Sequence, residues 1–217
     1  MNRKHLMVGL VFTAVAMITL AFGQGAEAEE GWIVLFDGKS LDGWTAAKEN
    51  PGTFRLENGA IVANGPRCHL FYTGPVNGAN FKDFELKVEV MTRKNSNGGI
   101  YFHTRFQESG WPDKGFEVQV NNSYARDHRK TGSLYMIQDV TETHVPDDEW
   151  FTEHIIVKGK RVEVRINGKK VVDWTEPSPP EPPKNAPGRV LDQGTFALQG
   201  HDPGSTVYYR NIRVKPL

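Results

Sequence analysis

Hydrophobic and polar residues alternate along most of the chain, and this period of two is typical of β-strands. In residues 84–90, FELKVEV, the apolar side chains fall on one face and the charged side chains on the other. Asn-Gly pairs at 58–59 and 167–168 stand between short alternating runs and predict tight hairpins. Other predicted strands span residues 53–57, 60–63, 133–137, 151–158, 161–166, 169–174, 195–199 and 207–214. We find no amphipathic helix longer than two turns.

About a dozen short strands with turns between them predict an all-β fold, a sandwich of two antiparallel sheets. The sequence contains no internal repeat and no sign of a second domain. Residues 176–188, EPSPPEPPKNAPG, stand apart because their six prolines exclude a central strand and favour extended polyproline geometry. We predict a stiff surface loop, which either walls a binding surface or simply connects the sheets.

The N-terminal residues are typical of a targeting sequence. A basic start precedes an uncharged apolar run over residues 6–22, and small residues lead to Ala28. This pattern predicts a secretory signal peptide over residues 1–28, cleaved after Ala28 or, alternatively, near Gly23. An uncleaved membrane anchor is the other interpretation. Cleavage would leave residues 29–217 as a single periplasmic or secreted domain.

Charge and cysteine content narrow the classes of partner. Lys and Arg total 26, as do Asp and Glu, and removal of the signal leaves a net charge of about −1. Because no basic field exists, we expect neither nucleic-acid binding nor membrane binding after signal cleavage. Cys68 is the single cysteine, so no intramolecular disulfide can form, and no cysteine lies at the exit of the signal peptide to carry a lipid. The sequence leaves the oligomeric state undetermined.

Two neighbouring predicted strands, residues 98–105 and 115–121, carry polar side chains where a purely structural strand carries apolar ones. Side chains two positions apart share a face of a strand. Those that share the polar faces are Tyr101, His103 and Arg105 in the first strand and Glu117, Gln119 and Asn121 in the second. A sheet face that combines amide, charged and ring groups predicts a carbohydrate-binding surface.

The opening segment 32–44, WIVLFDGKSLDGW, and several later blocks resemble the bacterial 3-keto-disaccharide hydrolase domain family in order. The later blocks are residues 97–102, 115–120, 132–135, 166–168, 198–201 and 209–213. The resemblance covers residues 31–217. It implies a concanavalin A-like jelly-roll sandwich, export, and action on glycosides whose sugar is oxidised at C3. The chain departs from many relatives at His103, where they carry arginine, and at Asn121-Asn122, where they carry an aspartate after the Glu-x-Gln strand.

The chemistry that the resemblance implies needs few groups. A ketone at C3 acidifies the C2 proton, so a base can remove it and the enolate can expel the C1 substituent. Water then adds, and the net reaction is hydrolysis. Sandwich laminarinases instead place catalytic acids as Glu-x-Asp-x-x-Glu on one strand. Residues 117–122 keep only the first of these carboxylates, so ordinary two-carboxylate hydrolysis is not predicted from this strand.

Three residues are candidates for proton transfer. Glu117 is the first choice as a base or as a clamp on a sugar hydroxyl, and its alternative role is a structural ion pair with Arg105. His201 follows a predicted strand end and has a side chain suited to proton transfer near neutral pH. Its alternative is a loop histidine bonded to Asp202. His103 is either a second proton carrier or a half-buried strand histidine.

The remaining candidates bind substrate. They are Arg105, Gln119, Tyr101, Tyr135, Gln199 and Trp111. The amide and guanidinium groups would orient sugar hydroxyls or the C3 oxygen, and the aromatic rings would stack on a pyranose. The alternative places the tyrosines in the core and makes Trp111 a cap over the sandwich edge.

No metal or cofactor is predicted, because the sequence lacks EF-hand, His-x-x-x-His and Cys-x-x-Cys patterns. Because aspartates are scattered through the turns, the sequence does not decide whether a structural calcium ion binds.

We interpret the chain as an exported enzyme of the 3-keto-disaccharide hydrolase or lyase type, acting on 3-keto-glycosides. The alternatives are a non-catalytic carbohydrate-binding module of the same fold and a surface interaction domain. An acid and a base in one pocket would favour the enzyme, and a flat Trp-lined groove would favour the module.

Overall fold

The computed structural model describes residues 30–217, so the predicted signal peptide over residues 1–28 lies outside the described residues. The strands are β1 (Ile33–Phe36), β2 (Trp44–Ala46), β3 (Phe54–Glu57), β4 (Ala60–Ala63), β5 (Cys68–Tyr72), β6 (Phe84–Thr92), β7 (Gly98–Thr104), β8 (Phe116–Val120), β9 (Phe151–Lys158), β10 (Arg161–Ile166), β11 (Lys169–Thr175), β12 (Thr195–Gly200) and β13 (Val207–Pro216). Two short 3-10 segments, Pro51–Thr53 and Val76–Ala79, complete the regular structure. Over these residues, no helix has the length and apolar content of a membrane span.

The strands form two sheets, and every pairing between strands is antiparallel. The larger sheet has eight strands in the order β11-β10-β9-β6-β13-β4-β3, and β1 also pairs with β13. The smaller sheet has five strands in the order β2-β5-β12-β7-β8. This arrangement confirms the predicted all-β class with two antiparallel sheets.

The core lies between the two sheets. In β6 the buried and half-buried positions alternate without a break, as the sequence pattern predicts. The ring of Phe84 on β6 meets Phe102 of β7 edge-on at 5.9 Å, and Phe102 stacks on Phe116 of β8 at 5.3 Å. Each such fully buried side chain contributes about 1.5–3 kcal/mol relative to exposure. The apolar faces of β7 and β8 are therefore committed to the core, which leaves their polar faces pointing away from the larger sheet.

Most strands with one buried face were predicted correctly, and the exceptions have physical reasons. The strand predicted at residues 133–137 is wrong, because this segment makes only isolated bridges through Leu134. Met136 has a positive φ of 65°, and the amides of Ile137 and Gln138 both donate to the carbonyl of Leu134, which closes a turn. β5 was missed because all five of its residues are buried and no alternation marks it.

Candidate functional site

A cavity of about 420 Å³ lies on the polar face of the smaller sheet. β7, β8 and β12 supply its floor, through side chains that include Tyr101, Glu117 and Gln199. Three loops supply the walls, at residues 111–113, 135–136 and 185–187. The last of these belongs to the proline-rich segment, so this segment walls the cavity rather than only connecting the sheets. Pockets of a few hundred Å³ on a rigid sheet are typical of small-ligand sites.

Strand register brings the central side chains together. Tyr101 pairs with Ala197 on one side and with Glu117 on the other. Gly99 pairs with Gln119, and a Cβ added at Gly99 would lie 2.6 Å from Glu117 Oε1. The absence of a side chain at Gly99 therefore creates the space in which the Glu117 carboxyl group lies.

Glu117 lies on the cavity floor and is held by three groups. The Tyr101 hydroxyl donates a hydrogen bond of 2.7 Å to Oε2, and Gln199 Nε2 donates one of 2.7 Å to Oε1. The guanidinium of Arg189 lies 3.8 Å from Oε2. Burial raises the pKa of Glu117, and Arg189 and the two hydrogen bonds only partly oppose that shift. The carboxylate form is therefore a stronger base than an ordinary glutamate. The alternative ion pair with Arg105 is wrong, because Arg189 occupies that position.

Arg189 is a site residue that sequence reasoning missed. It directly follows the proline-rich segment, and its side chain is only 11 % exposed. Its guanidinium lies 5.4 Å from the centre of the Tyr135 ring. Its Nε and Nη1 are buried and have no hydrogen-bond partner within residues 30–217. The signal that could have found Arg189 is its place directly after the proline-rich segment, for which a wall of the binding surface was one of the two predicted roles.

His201 lies at the cavity wall, as predicted from its place after a strand. Its Nδ1 is 2.7 Å from Asp202 Oδ2, so the bond to Asp202 and the position in the cavity occur together. Burial alone would raise the pKa of Asp202. Hydrogen bonds from His201, Ser205 and Gly204 together outweigh burial, so the pKa of Asp202 is lowered. Asp202 is therefore an anionic acceptor that orients the imidazole, and Nε2 is available for a ligand.

The predicted binding residues Gln119, Tyr135 and Trp111 also line the cavity, as do Tyr101 and Gln199. Gln119 Nε2 donates a hydrogen bond of 3.0 Å to Asn97 Oδ1. Burial raises the pKa of Tyr135, so its hydroxyl remains neutral. Trp111 is 45 % exposed and stands at the rim, with its ring centre 5.5 Å from that of His201. These groups supply ring faces and amide donors around the carboxyl group.

Two predicted site residues lie elsewhere. His103 has a positive φ of 54°, and the pairing of β7 with β12 shifts register next to it. A bulge of this kind turns the following side chains to the opposite face. His103 Nε2 then bonds the Lys82 carbonyl at 2.8 Å, and its Nδ1 accepts from the Asp192 amide at 3.3 Å. Burial lowers its pKa. Both ring nitrogens of His103 have hydrogen-bond partners. The observed position therefore agrees better with the predicted strand histidine than with a second proton carrier.

Arg105 follows the end of β7 and does not line the cavity around Glu117. It is 66 % exposed, pairs with Asp113 at 2.8 Å and borders a second depression of about 400 Å³.

Asn121, the last residue of the predicted polar row, donates to the backbone carbonyls of Asp127 and Arg129 and is structural. In the part of the chain that the structure describes, no group of three or more His, Cys, Asp or Glu side chains is placed to hold a metal ion.

The fold has relatives among solved structures. A Parabacteroides distasonis protein, provisionally named a glycosyl hydrolase, superposes with a TM-score of 0.73 at 24 % identity, over 87 % of this chain and 94 % of that one. SCLam, a non-specific endo-β-1,3(4)-glucanase of family GH16, gives 0.56 at 12 % identity, over 86 % and 91 % of the chains. The Bacillus subtilis carbohydrate-binding module CBM66 gives 0.57 at 14 % identity, over 80 % and 95 %. These likenesses confirm the predicted jelly-roll sandwich.

The sequence itself identifies the family. A curated protein of Bacteroides thetaiotaomicron, named 3-keto-disaccharide hydrolase, is 27 % identical over 87 % of this chain and 79 % of its own length. The model of the 3-keto-alpha-glucoside-1,2-lyase-like domain matches residues 31–215, which is nearly all of the described chain. The predicted resemblance is therefore confirmed, and the chain belongs to the 3-keto-alpha-glucoside-1,2-lyase-like domain family.

Proposed function

We propose that the chain cleaves glycosides of 3-keto-sugars by elimination across C1 and C2, followed by hydration. One observation carries this proposal. A buried carboxyl group with a raised pKa, Glu117, and an aspartate-oriented imidazole, His201, border the same cavity. A strong base and a separate proton donor in one pocket are the two groups that the elimination requires.

In the first step Glu117 takes the proton from C2 of the bound sugar, and the electron pair moves onto the C3 oxygen as an enolate. Burial favours the neutral form of Glu117, so proton uptake relieves the cost of a buried charge. The enolate then re-forms the C3 ketone, a double bond forms between C1 and C2, and the C1 oxygen leaves with a proton from His201. Water finally adds across this double bond: His201 takes a proton from the water as its oxygen bonds to C1, and Glu117 returns its proton to C2. The product is the free 3-keto-sugar, and both side chains regain their starting protonation states.

The other cavity residues would bind and orient the substrate. Arg189 carries the positive charge beside Glu117, and the developing enolate oxygen would accept hydrogen bonds from its guanidinium. Gln119 and Asn97 form an amide pair that suits sugar hydroxyls. Tyr135 and Trp111 offer ring faces for a pyranose from two of the wall loops. The substrate class is a glycoside whose C3 hydroxyl has already been oxidised, so an oxidation at C3 must precede this reaction.

A carbohydrate-binding module without catalysis is the second candidate, since CBM66 shares the fold. Against it, the cavity is walled by three loops and contains a carboxyl group with a shifted pKa. A flat groove lined by tryptophan would suit a module better. We also propose export to the periplasm or beyond, directed by the predicted signal over residues 1–28, and a reaction without a cofactor.

The test uses purified protein lacking residues 1–28 and a 3-keto-glucoside with a chromogenic C1 substituent. We expect release from the keto-glucoside and none from the unoxidised glucoside. Glu117→Gln should lower turnover by about 10²–10⁴-fold. His201→Ala should lower turnover more for a substrate with an alcohol leaving group than for one with a nitrophenol, because nitrophenolate leaves without protonation. Saturable sugar binding without release would instead establish the binding module.

A further inference from the structure

His69 on β5 has a buried imidazole ring whose polar atoms lack the expected partners. Its side chain is fully buried, and neither ring nitrogen has a partner within residues 30–217. Native proteins pair nearly all buried polar groups, so a histidine with two unpaired nitrogens requires an explanation. Burial lowers its pKa to about 3, with smaller effects from Glu49, Arg67 and His201. The ring is therefore neutral, with one donor and one acceptor nitrogen.

Strand register places His69 beside the residue that holds the base. His69 pairs directly with Gln199 of β12, so the two side chains stand next to each other on the cavity face. Gln199 Nε2 is bonded to Glu117, while its Oε1 is buried and also lacks a partner in the described chain. One donor and two acceptors thus lie unused next to the proposed catalytic carboxyl group.

Trp111 forms part of the cover over His69. The two ring centres are 5.6 Å apart at an interplanar angle of 75°, and the Tyr101 ring packs on His69 from the floor at 5.3 Å. The Trp111 side chain is held by ring contacts with His69 and His201 and by the Arg67 guanidinium at 5.3 Å. The backbone of its turn is braced separately, since the side chain of Gln107 bonds the Trp111 carbonyl at 2.9 Å. Rotation of the indole therefore leaves the turn intact.

We propose that His69 and Gln199 form a subsite for two hydroxyl groups of a sugar, which Trp111 covers in the free protein and uncovers when sugar binds. A hydroxyl both donates and accepts, and the neutral imidazole and the Gln199 carbonyl offer the matching groups. The displaced indole would then stack on the sugar ring. The identity of the ligand as a sugar rests on the proposed function. The subsite would couple recognition to chemistry, because Gln199 would contact a sugar hydroxyl through its Oε1 while its Nε2 holds Glu117.

The experiment compares wild type with His69→Phe, which keeps a ring and removes both nitrogens. Affinity is measured by calorimetry for methyl glucoside and for its 2-, 4- and 6-deoxy analogues. We expect His69→Phe to fold with equal or higher thermal stability and to bind the glucoside at least about 10-fold more weakly. The loss should disappear with the analogue that lacks the hydroxyl in the subsite, which a structural role would not produce. His144→Phe, at a half-buried histidine that does not line the cavity, is the control. His69→Asn, which keeps a donor and an acceptor, should retain part of the affinity.

A second arm needs no sugar. In Trp111→Ala we expect the pKa of His69, followed by NMR of its ring, to rise from about 3 towards its ordinary range because water reaches it. An unchanged His69 titration would overturn the covering role of Trp111. Equal affinities of wild type and His69→Phe for every analogue would overturn the subsite and leave the proposed function intact. A wild type that binds no glycoside and cleaves no 3-keto-glucoside would overturn both.

Discussion

Glu153 places a carboxyl group in the core of the sandwich, and its burial should make the stability of the protein depend on pH. It lies on β9 with its side chain fully buried, opposite Val88 of β6 and Ile166 of β10. Neither carboxyl oxygen has a hydrogen-bond partner within residues 30–217. Burial raises its pKa well above the ordinary 4.5, so the folded protein keeps a proton that the unfolded chain releases.

Proton linkage gives the sign and size of the effect of Glu153 on the free energy of unfolding. Above pH 4.5 the unfolded state binds one proton fewer than the folded state at Glu153, so stability falls as pH rises. The slope is about 1.4 kcal/mol per pH unit until the folded-state pKa is passed. Glu153→Gln removes this slope but keeps an unpaired polar group. Glu153→Met removes both, and should gain a further amount of about 1–3 kcal/mol at every pH.

The assay is urea unfolding of wild type and both variants at several pH values from 5 upward, with reducing agent to protect Cys68. We expect the advantage of each variant over wild type to widen as pH rises. Glu57→Gln, on the exposed edge strand β3, controls for the loss of one carboxylate. An advantage that stays constant with pH would refute the reasoning, as would a Glu153→Met variant less stable than wild type, because either result requires a partner for the carboxylate.

Three further predictions concern the cavity. Gly99→Ala places a Cβ 2.6 Å from Glu117 Oε1, so we expect turnover to fall by about 100-fold and stability by about 1–3 kcal/mol, measured by kinetics and thermal unfolding. Tyr101→Phe removes a hydrogen bond that lowers the pKa of Glu117, so the acid limb of kcat/KM against pH should move to higher pH. An unmoved limb would exclude Glu117 as the titrating base. Arg105→Ala should change stability by less than about 1 kcal/mol and leave kcat unchanged, because its ion pair is exposed; a large loss of kcat would return Arg105 to the site.

Sequence alone was sufficient for the parts of the molecule that local patterns encode. Strands with one buried face, such as β6 and β9, alternate visibly, and the Asn-Gly turn between β10 and β11 marks its own hairpin. The polar face of β8 likewise identified Glu117 and Gln119 as candidate site residues, and the structure places both in one cavity.

The bulge in β7, the position of Arg189 and the surroundings of His69 depend on three-dimensional packing, which the alternation of polar and apolar residues does not encode. One residue with positive φ, His103, ends the simple alternation of β7 and removes His103 and Arg105 from the polar face. Arg189 reaches Glu117 from 72 positions along the chain, through a loop whose path follows from packing. His69 lies on a strand whose five residues are all buried, and a uniformly buried strand gives no sequence pattern that distinguishes its two faces.

The cavity divides its parts between two kinds of scaffold. Glu117 and the residues that hold it, Tyr101 and Gln199, belong to paired strands, whereas residues 185–187 belong to a loop stiffened by proline. Insertions or exchanges in such a loop leave strand register unchanged. Evolution, or an engineer, can therefore reshape this wall of the cavity while the cluster of Tyr101, Glu117 and Gln199 stays unchanged. Exchanging this loop between members of the family would change which ligands the cavity admits without moving the Glu117 carboxyl group.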